Sequence, residues 1–249
     1  KSMYEALPLS VAELAFNAFE KTVLTGTPQL FEYELPIKNA RYWEGRMVRS
    51  GDGAVAVIRD ITKRRRFEEE LRLSEKSIGD LYEITSSNEL NFDEKQHALL
   101  KMGCQRYGME IGYILQLKKD FFELMHFYTS VEGFQTVPTY ALDQSYSYAV
   151  IQQNRPVMIE EVIGTQWEQL AAYRDYHLRS LIGAPLMVGD KLFGVLSFSS
   201  KQPREKSFTQ AEARFLHLMA QWIGLERERN QYLAQLHQNS EDLLNKSLE

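Results

Sequence analysis

The side chains able to do chemistry are few and scattered. There is one cysteine, Cys104, and the five histidines (His97, His126, His177, His217, His237) form no close pair. A single thiol excludes an internal disulfide. Structural zinc sites draw on several Cys and His ligands, which this spacing does not supply. Cys104 lies beside Gly103 in an apolar helical pattern, where a lone cysteine behaves as a small buried hydrophobe. His126 falls in a strand pattern and His177 ends an aromatic segment. Each has the type to ligate haem or a metal, and each equally suits a core or rim residue donating one hydrogen bond.

No phosphate-cradling glycine loop, metal-ligand cluster or Ser/His/Asp signature occurs, so no catalytic residue and no metal ligand is assigned. The densest reactive set is aromatic. Tyr146, Trp167, Tyr173, Tyr176 and His177 are expected to face a sheet near Tyr113 and His126. Aromatic walls with few polar anchors suit a flat small molecule. They also suit a filled core, which is the preferred reading.

Composition narrows the class. With 249 residues, 44% hydrophobic and 25% charged, the chain can form one large or two small domains. A net charge of −5 gives no electrostatic reason to expect nucleic acid. The run Lys63–Arg66 is offset by Glu68, Glu69 and Glu70 and reads as a solvated helix start. No apolar run approaches the roughly 20 residues that span a bilayer, and no signal peptide pattern is present. The expectation is a soluble cytoplasmic protein. The chain starts without Met and stops inside a helical pattern, so a segment of a longer protein is expected.

These residues need elements to position them. Val11, Leu14, Ala15, Ala18, Phe19 and Val23 predict a helix, with Ser10 and Glu13 as a capping box. Strands follow at Leu30–Leu35, Tyr42–Arg49 and Gly53–Asp60, the last apolar enough to read as buried. Ser50-Gly51-Asp52-Gly53 predicts a tight hairpin. Further on, a helix is expected over Asp93–Arg106 and strands over Ile111–Leu117, Phe121–Tyr128 and Thr139–Leu142. A short helix over Ser145–Gln153 and a strand over Val157–Glu160 come next, then a single helix over Gln166–His177. A hairpin, Leu181–Val188 with Lys191–Ser199, turns at Gly189-Asp190. Thr209 and Glu212 predict a capping box opening a long last helix.

Two helical stretches carry 4-3 spacing. In the first, Phe67, Leu71, Ser74, Ile78, Leu81 and Thr85 form a seam with charges between them. In the second, Leu218, Trp222, Leu225, Tyr232, Leu236 and Leu243 do so, with Arg229, Asn239 and Lys246 as weak positions. Such spacing lets a helix pair with a copy of itself, so the expected partner is a second copy of this chain.

Several strings resemble known families. The order of strand, Gly51-Asp52-Gly53 turn, apolar strand, Asp60-Ile61-Thr62 and charged helix resembles the C-terminal half of a PAS domain. The half of that family that contacts ligands is not in this sequence, and residues 1–96 contain no His or Cys. No cofactor is expected from it. Gly103–Ile114, Leu181–Thr209 and Leu218–Arg229 resemble GAF domains of cyanobacterial multi-domain sensor kinases. The resemblance implies an α+β fold: a partial PAS domain at 1–62, a linker helix at 63–85, a GAF domain at 86–229 and an exit coiled-coil helix at 230–249. It implies a non-enzymatic sensory and dimerisation module that relays a signal through parallel helices to an absent output domain, a histidine kinase or else a diguanylate cyclase.

The same resemblance excludes some activities. Bilin-binding relatives attach chromophore through a Cys; here Trp167–Ala172 has none, and Ser145-Tyr146-Ser147 lacks the alternative thiol. One Cys also argues against methionine sulfoxide reduction. Asn91-Phe92-Asp93-Glu94 is similar to part of a cyclic-nucleotide motif but reads as a helix cap. His237-Gln238-Asn239-Ser240 lacks the acidic residue and the Arg/Lys-Thr-Pro found after the phospho-acceptor of histidine kinases. An unknown small molecule remains an alternative ligand for the aromatic walls.

Overall fold

The computed structural model describes residues 8–35 and 41–246, with side chains to residue 241 in the last helix. The chain divides into two compact units, Lys1–Glu75 and Lys76–Glu249.

Among the described residues, the first unit packs a helix on a three-stranded antiparallel sheet and runs into a second helix. Helix α1 (Leu9–Thr25) buries Val11, Ala12, Ala15, Ala18 and Thr22, a 3–4 spacing that makes one apolar face. The expected Ser10–Glu13 capping box does not form. The helix starts at Leu9, the Pro8 carbonyl accepts from Val11 and Ala12, and no side chain caps it. Ser10 is already inside the first turn. Strands β1 (Gln29–Leu35), β2 (Arg41–Ser50) and β3 (Gly53–Asp60) pair in that order. Register Ser50↔Gly53 leaves a two-residue turn, and Gly51 at φ 59° supplies the left-handed backbone that it needs.

Strand β3 corrects the sequence reading. It is an edge strand, and Val55, Val57 and Ile58 are exposed rather than buried. Apolar composition alone does not separate a central strand from an uncovered edge, and α1 lies mainly over β1 and β2. After β3, Asp60 Oδ1 accepts from the Thr62 amide at 2.9 Å, which starts α2 (Thr62–Ser86). That bonding with Thr62 holds the Asp60 carboxyl below its ordinary range. The basic run is not free: Arg64 and Arg65 both pair with Glu32, and Arg64 also reaches Glu44 at 3.5 Å.

The second unit is a six-stranded antiparallel sheet covered on both faces. Helix α3 (Phe92–Tyr107) opens with the capping box between Asn91 and Glu94, so the Asn91–Glu94 string is a cap. Strands β4 (Ile111–Leu117), β5 (Phe121–Thr129) and β6 (Thr139–Ala141) precede α4 (Ser147–Gln153) and β7 (Val157–Ile159). The segment expected as one helix over Gln166–His177 is two pieces, a 3-10 turn at Gln166–Gln169 and α5 (Ala171–Arg174). Leu170 is extended between them (φ −78°, ψ 152°), and His177 has φ 56°, so neither continues a helix. Strands β8 (Ser180–Val188) and β9 (Lys191–Ser200) form the central hairpin, and α6 (Gln210–Lys246) leaves the domain. The sheet order is β6-β5-β4-β9-β8-β7.

One face of this sheet packs Ile114, Ile182, Leu186, Leu196 and Phe198 against α3 and α6. The other face packs Leu115, Phe122, Leu181 and Val195 beneath α4 and the segment after β7. Burying side chains of this kind contributes about 1.5–3 kcal/mol each.

Candidate functional site: a cavity over the sheet and two exposed helix stripes

The second face does not fill completely. Over β4, β5 and β6 it leaves a cavity of ≈ 240 Å³. Its floor is Ile111, Tyr113 and Leu115 of β4 with Phe127 of β5. Its walls come from Phe134 to Ser145 and from Ala171 to Leu178. Alternation places Ile111, Tyr113 and Leu115 on one side of β4. Phe127 joins them because it pairs directly with Tyr113.

Tyr113 of the floor belongs to a buried hydroxyl cluster. Tyr113 Oη lies 3.0 Å from Ser199 Oγ. Ser197 of β9 pairs with Tyr113 in register. The Ser197 and Ser147 hydroxyls are buried beside the same phenol. Burial drives the Tyr113 phenol above its ordinary range, so it stays a neutral donor.

The structure sorts the sequence-expected residues into three groups. Tyr113 and Tyr176 line the cavity. Tyr146, Trp167 and Tyr173 pack into the core beside it instead. Tyr146 donates to the Leu178 carbonyl at 2.8 Å, and its ring meets Trp167 edge-on at 6.2 Å. The two histidines are not in the cavity. His177 is exposed and stands edge-on to Tyr173. His126 pairs with Ile114 and faces the opposite side of the sheet, 3.6 Å from Asp93 of α3. Cys104 is buried on that opposite side too, and burial pushes its thiol up to about 12, which fits an inert core residue. Sequence reasoning missed Phe127, Phe134, Tyr140 and Asp175; for Phe134 and Tyr140 the isolated aromatics after Gly133 were the available signal.

His126 makes stability pH-dependent. Desolvation lowers its pKa below the ordinary 6.5, with Asp93 opposing and Arg227 and His97 adding to the fall. The unfolded chain therefore takes up this proton first as pH drops. The His126 contribution is present above about pH 6.5 and lost below it. The urea midpoint should fall between about pH 7.5 and 5.5, and His126→Gln should flatten part of that fall. An unchanged slope in the variant would remove His126 from the effect.

The helices form the second feature. Along α2, Phe67 (71% exposed), Leu71 (60%) and Ile78 (52%) are uncovered, and Tyr82 continues the stripe. Leu81 was expected on this seam, but it is 7% exposed and belongs to the core of its own unit. Ser77 is buried with it. Along α6, Leu218, Leu225, Tyr232 and Leu236 are exposed. Trp222 departs from expectation: it is half-buried and packs on Phe92 at 6.2 Å. The Leu243 side chain lies outside the described residues.

Among the described residues no three His, Cys, Asp or Glu are grouped to hold a metal ion, and no helix is long and apolar enough to cross a membrane.

An antiparallel sheet flanked by entry and exit helices, with a cavity on one face, defines a sensory and regulatory α+β domain. The chain belongs to the GAF domain family, whose model matches residues 92–226. Similar solved structures share the fold at low identity. The chromophore-binding domain of an unusual bacteriophytochrome from R. palustris has a TM-score of 0.52 and 10% identity, covering 82% of this chain and 75% of that one. A far-red absorbing dark state with bound biliverdin IXa has a TM-score of 0.51 and 16% identity, over 64% of this chain and 99% of that one. A free methionine-R-sulfoxide reductase from Neisseria meningitidis, in complex with its substrate, also has a TM-score of 0.51 and 16% identity, over 63% and 92%. No curated protein matches the chain.

Proposed function

We propose that this chain is a non-enzymatic, cytoplasmic sensory and dimerisation module of a signal-transduction protein. Two copies pair in parallel through α2 and α6. The pairing relays the state of the GAF domain to an output domain of the same protein, for which a histidine kinase is our choice. The first unit is read as the C-terminal part of a PAS domain. That reading rests on the Gly51-Asp52-Gly53 turn, the strand after it and the Asp60-Ile61-Thr62 run that opens α2.

The observation that carries the proposal is the uncovered apolar stripe on α2. Phe67, Leu71, Ile78 and Tyr82 recur at intervals of 4, 7 and 4 residues and are flanked by charge, with Arg72 bonded to Glu69. Covering each large apolar side chain would contribute about 1.5–3 kcal/mol, so leaving four in water along one helix favours a partner with the same periodicity. Sedimentation should show a dimer for the chain and a shift to monomer for Leu71→Arg with Ile78→Arg. A double variant that stays fully dimeric would show that α2 is not the interface.

The cavity supports a second, compatible reading, in which the GAF domain responds to a small molecule bound over β4 and β5. A covalent bilin is not part of it. Residues 167–172 carry no Cys, and Cys104 lies across the sheet.

A further inference from the structure

The wall chemistry of the cavity selects among ligands. Five lining side chains are aromatic: Tyr113, Phe127, Phe134, Tyr140 and Tyr176. Four of them join in a chain of ring contacts. Phe127 meets Phe134 at 5.8 Å, Phe134 meets Tyr176 at 6.0 Å, and Tyr176 meets Tyr140 at 6.1 Å. The one charged residue lining the cavity is Asp175, and none of the lining residues is Lys, Arg or His.

Aromatic faces are electronegative and hold ammonium groups within about 6 Å of a ring centroid. These rings already do so once: Lys201 Nζ lies 5.3 Å from the Phe134 centroid. A carboxylate or phosphate entering the cavity would lose hydration and meet Asp175 with like charge, and Lys201, the cation over Phe134, is not among the lining residues. Size is a second filter. At ≈ 240 Å³ the cavity is smaller than the roughly 300–1,000 Å³ of sites for drug-sized ligands, so it suits a molecule of one or two rings and not a tetrapyrrole.

We propose that this cavity binds a small organic cation, a quaternary or aromatic ammonium compound, with the ring chain around its charge and Asp175 as the counter-ion. The inference rests on the reading of the cavity as a small-molecule site. The lining also includes the polar side chains of Tyr113, Thr139, Gln144 and Ser145, so a bound cation with a polar substituent has an anchor there.

The test uses the full chain and a matched pair of probes, phenyltrimethylammonium and its neutral isostere tert-butylbenzene, followed by ligand-observed NMR. The cation should bind about tenfold more tightly than the isostere, from ring and carboxylate contributions together. Asp175 is exposed, so Asp175→Asn should fold normally. It should weaken the cation by about three- to tenfold and leave the isostere unchanged. Tyr176→Leu should weaken both. Equal affinity for the two probes, or a cation indifferent to Asp175→Asn, would overturn the ammonium assignment while leaving a small-molecule site. Binding that survives Tyr176→Leu unchanged would place the site elsewhere and overturn it as well. Failure of both probes to bind a chain that circular dichroism shows folded would overturn the ligand-site reading itself.

Discussion

Gly224→Ala should destabilise the second unit by about 2 kcal/mol or more, although alanine is the better helix former by about 1 kcal/mol. Gly224 lies in the buried face of α6. A Cβ there would stand 1.9 Å from the Met187 carbonyl oxygen and 3.1 Å from its carbon. The obstacle is backbone of β8, so no rotamer change relieves it, and the helix must lift off the strand. Lifting it disturbs Leu216, Met219, Ala220 and Ile223, all buried along the same face. Overpacking of this kind costs about 1–3 kcal/mol and sometimes more, and here the clash is with main chain. The thermal midpoint should drop by about 4–8 °C. A midpoint that rises, as helix propensity alone predicts, would show that α6 can move away from β8 at little cost. That outcome bears on the proposed relay too, because α6 leaves the domain.

Glu212→Ala should cost about 3–5 kcal/mol, more than a helix cap accounts for. The carboxylate is nearly buried in the first turn of α6. One oxygen accepts from the Thr209 amide at 2.8 Å, and the Glu212 amide bonds Thr209 Oγ1 at 3.1 Å. The other oxygen accepts from Arg204 at 2.6 Å and faces Arg106 at 3.7 Å. Both guanidiniums are largely buried, at 19% and 13% side-chain exposure. Removing the carboxylate deletes the cap, about 1 kcal/mol, and strands two buried cations, the larger effect. Arg204 also bonds the Tyr107 carbonyl and lies 4.2 Å over the Phe208 ring, so it has little freedom to reach water. Thr209→Ala removes the cap alone and provides the comparison. If urea unfolding gives Glu212→Ala the same loss as Thr209→Ala, the ion cluster contributes nothing.

Both predictions concern features that sequence reading saw only in part. Thr209 and Glu212 are legible as a capping box because that motif is a matter of three-residue spacing. The two arginines come from elsewhere in the chain, one of them 106 positions before Glu212, and no local pattern points to them. Gly224 reads locally as a weak helix residue, and only the approach of β8 explains it.

The cavity shows the same division more sharply. Strict alternation along β5 would put His126 on the same side as Phe122 and Leu124, facing the cavity. A β-bulge between Ile114 and Leu115 in the β4–β5 register changes the parity, so His126 turns to the α3 side and Phe127 takes the cavity side. The bulge has no signature in the residue types. Leu81 and Ile78 both satisfy the 4-3 pattern, yet Leu81 is buried in the core cluster of the second unit and Ile78 stays in water.

By itself, the sequence determined what depends on neighbours in the chain. It set the Asn91 and Thr209 caps, the Gly51-Asp52 and Gly189-Asp190 turns, the strands of the central hairpin and the family of residues 92–226. These arise from backbone geometry and hydrogen bonds closed within a few residues. Tertiary structure decided which aromatic rings enclose space and which fill it, which face each histidine takes, and which apolar residues on α2 remain uncovered. Those depend on bulges, strand order and close approach between distant segments, whose energies appear only when the layers pack.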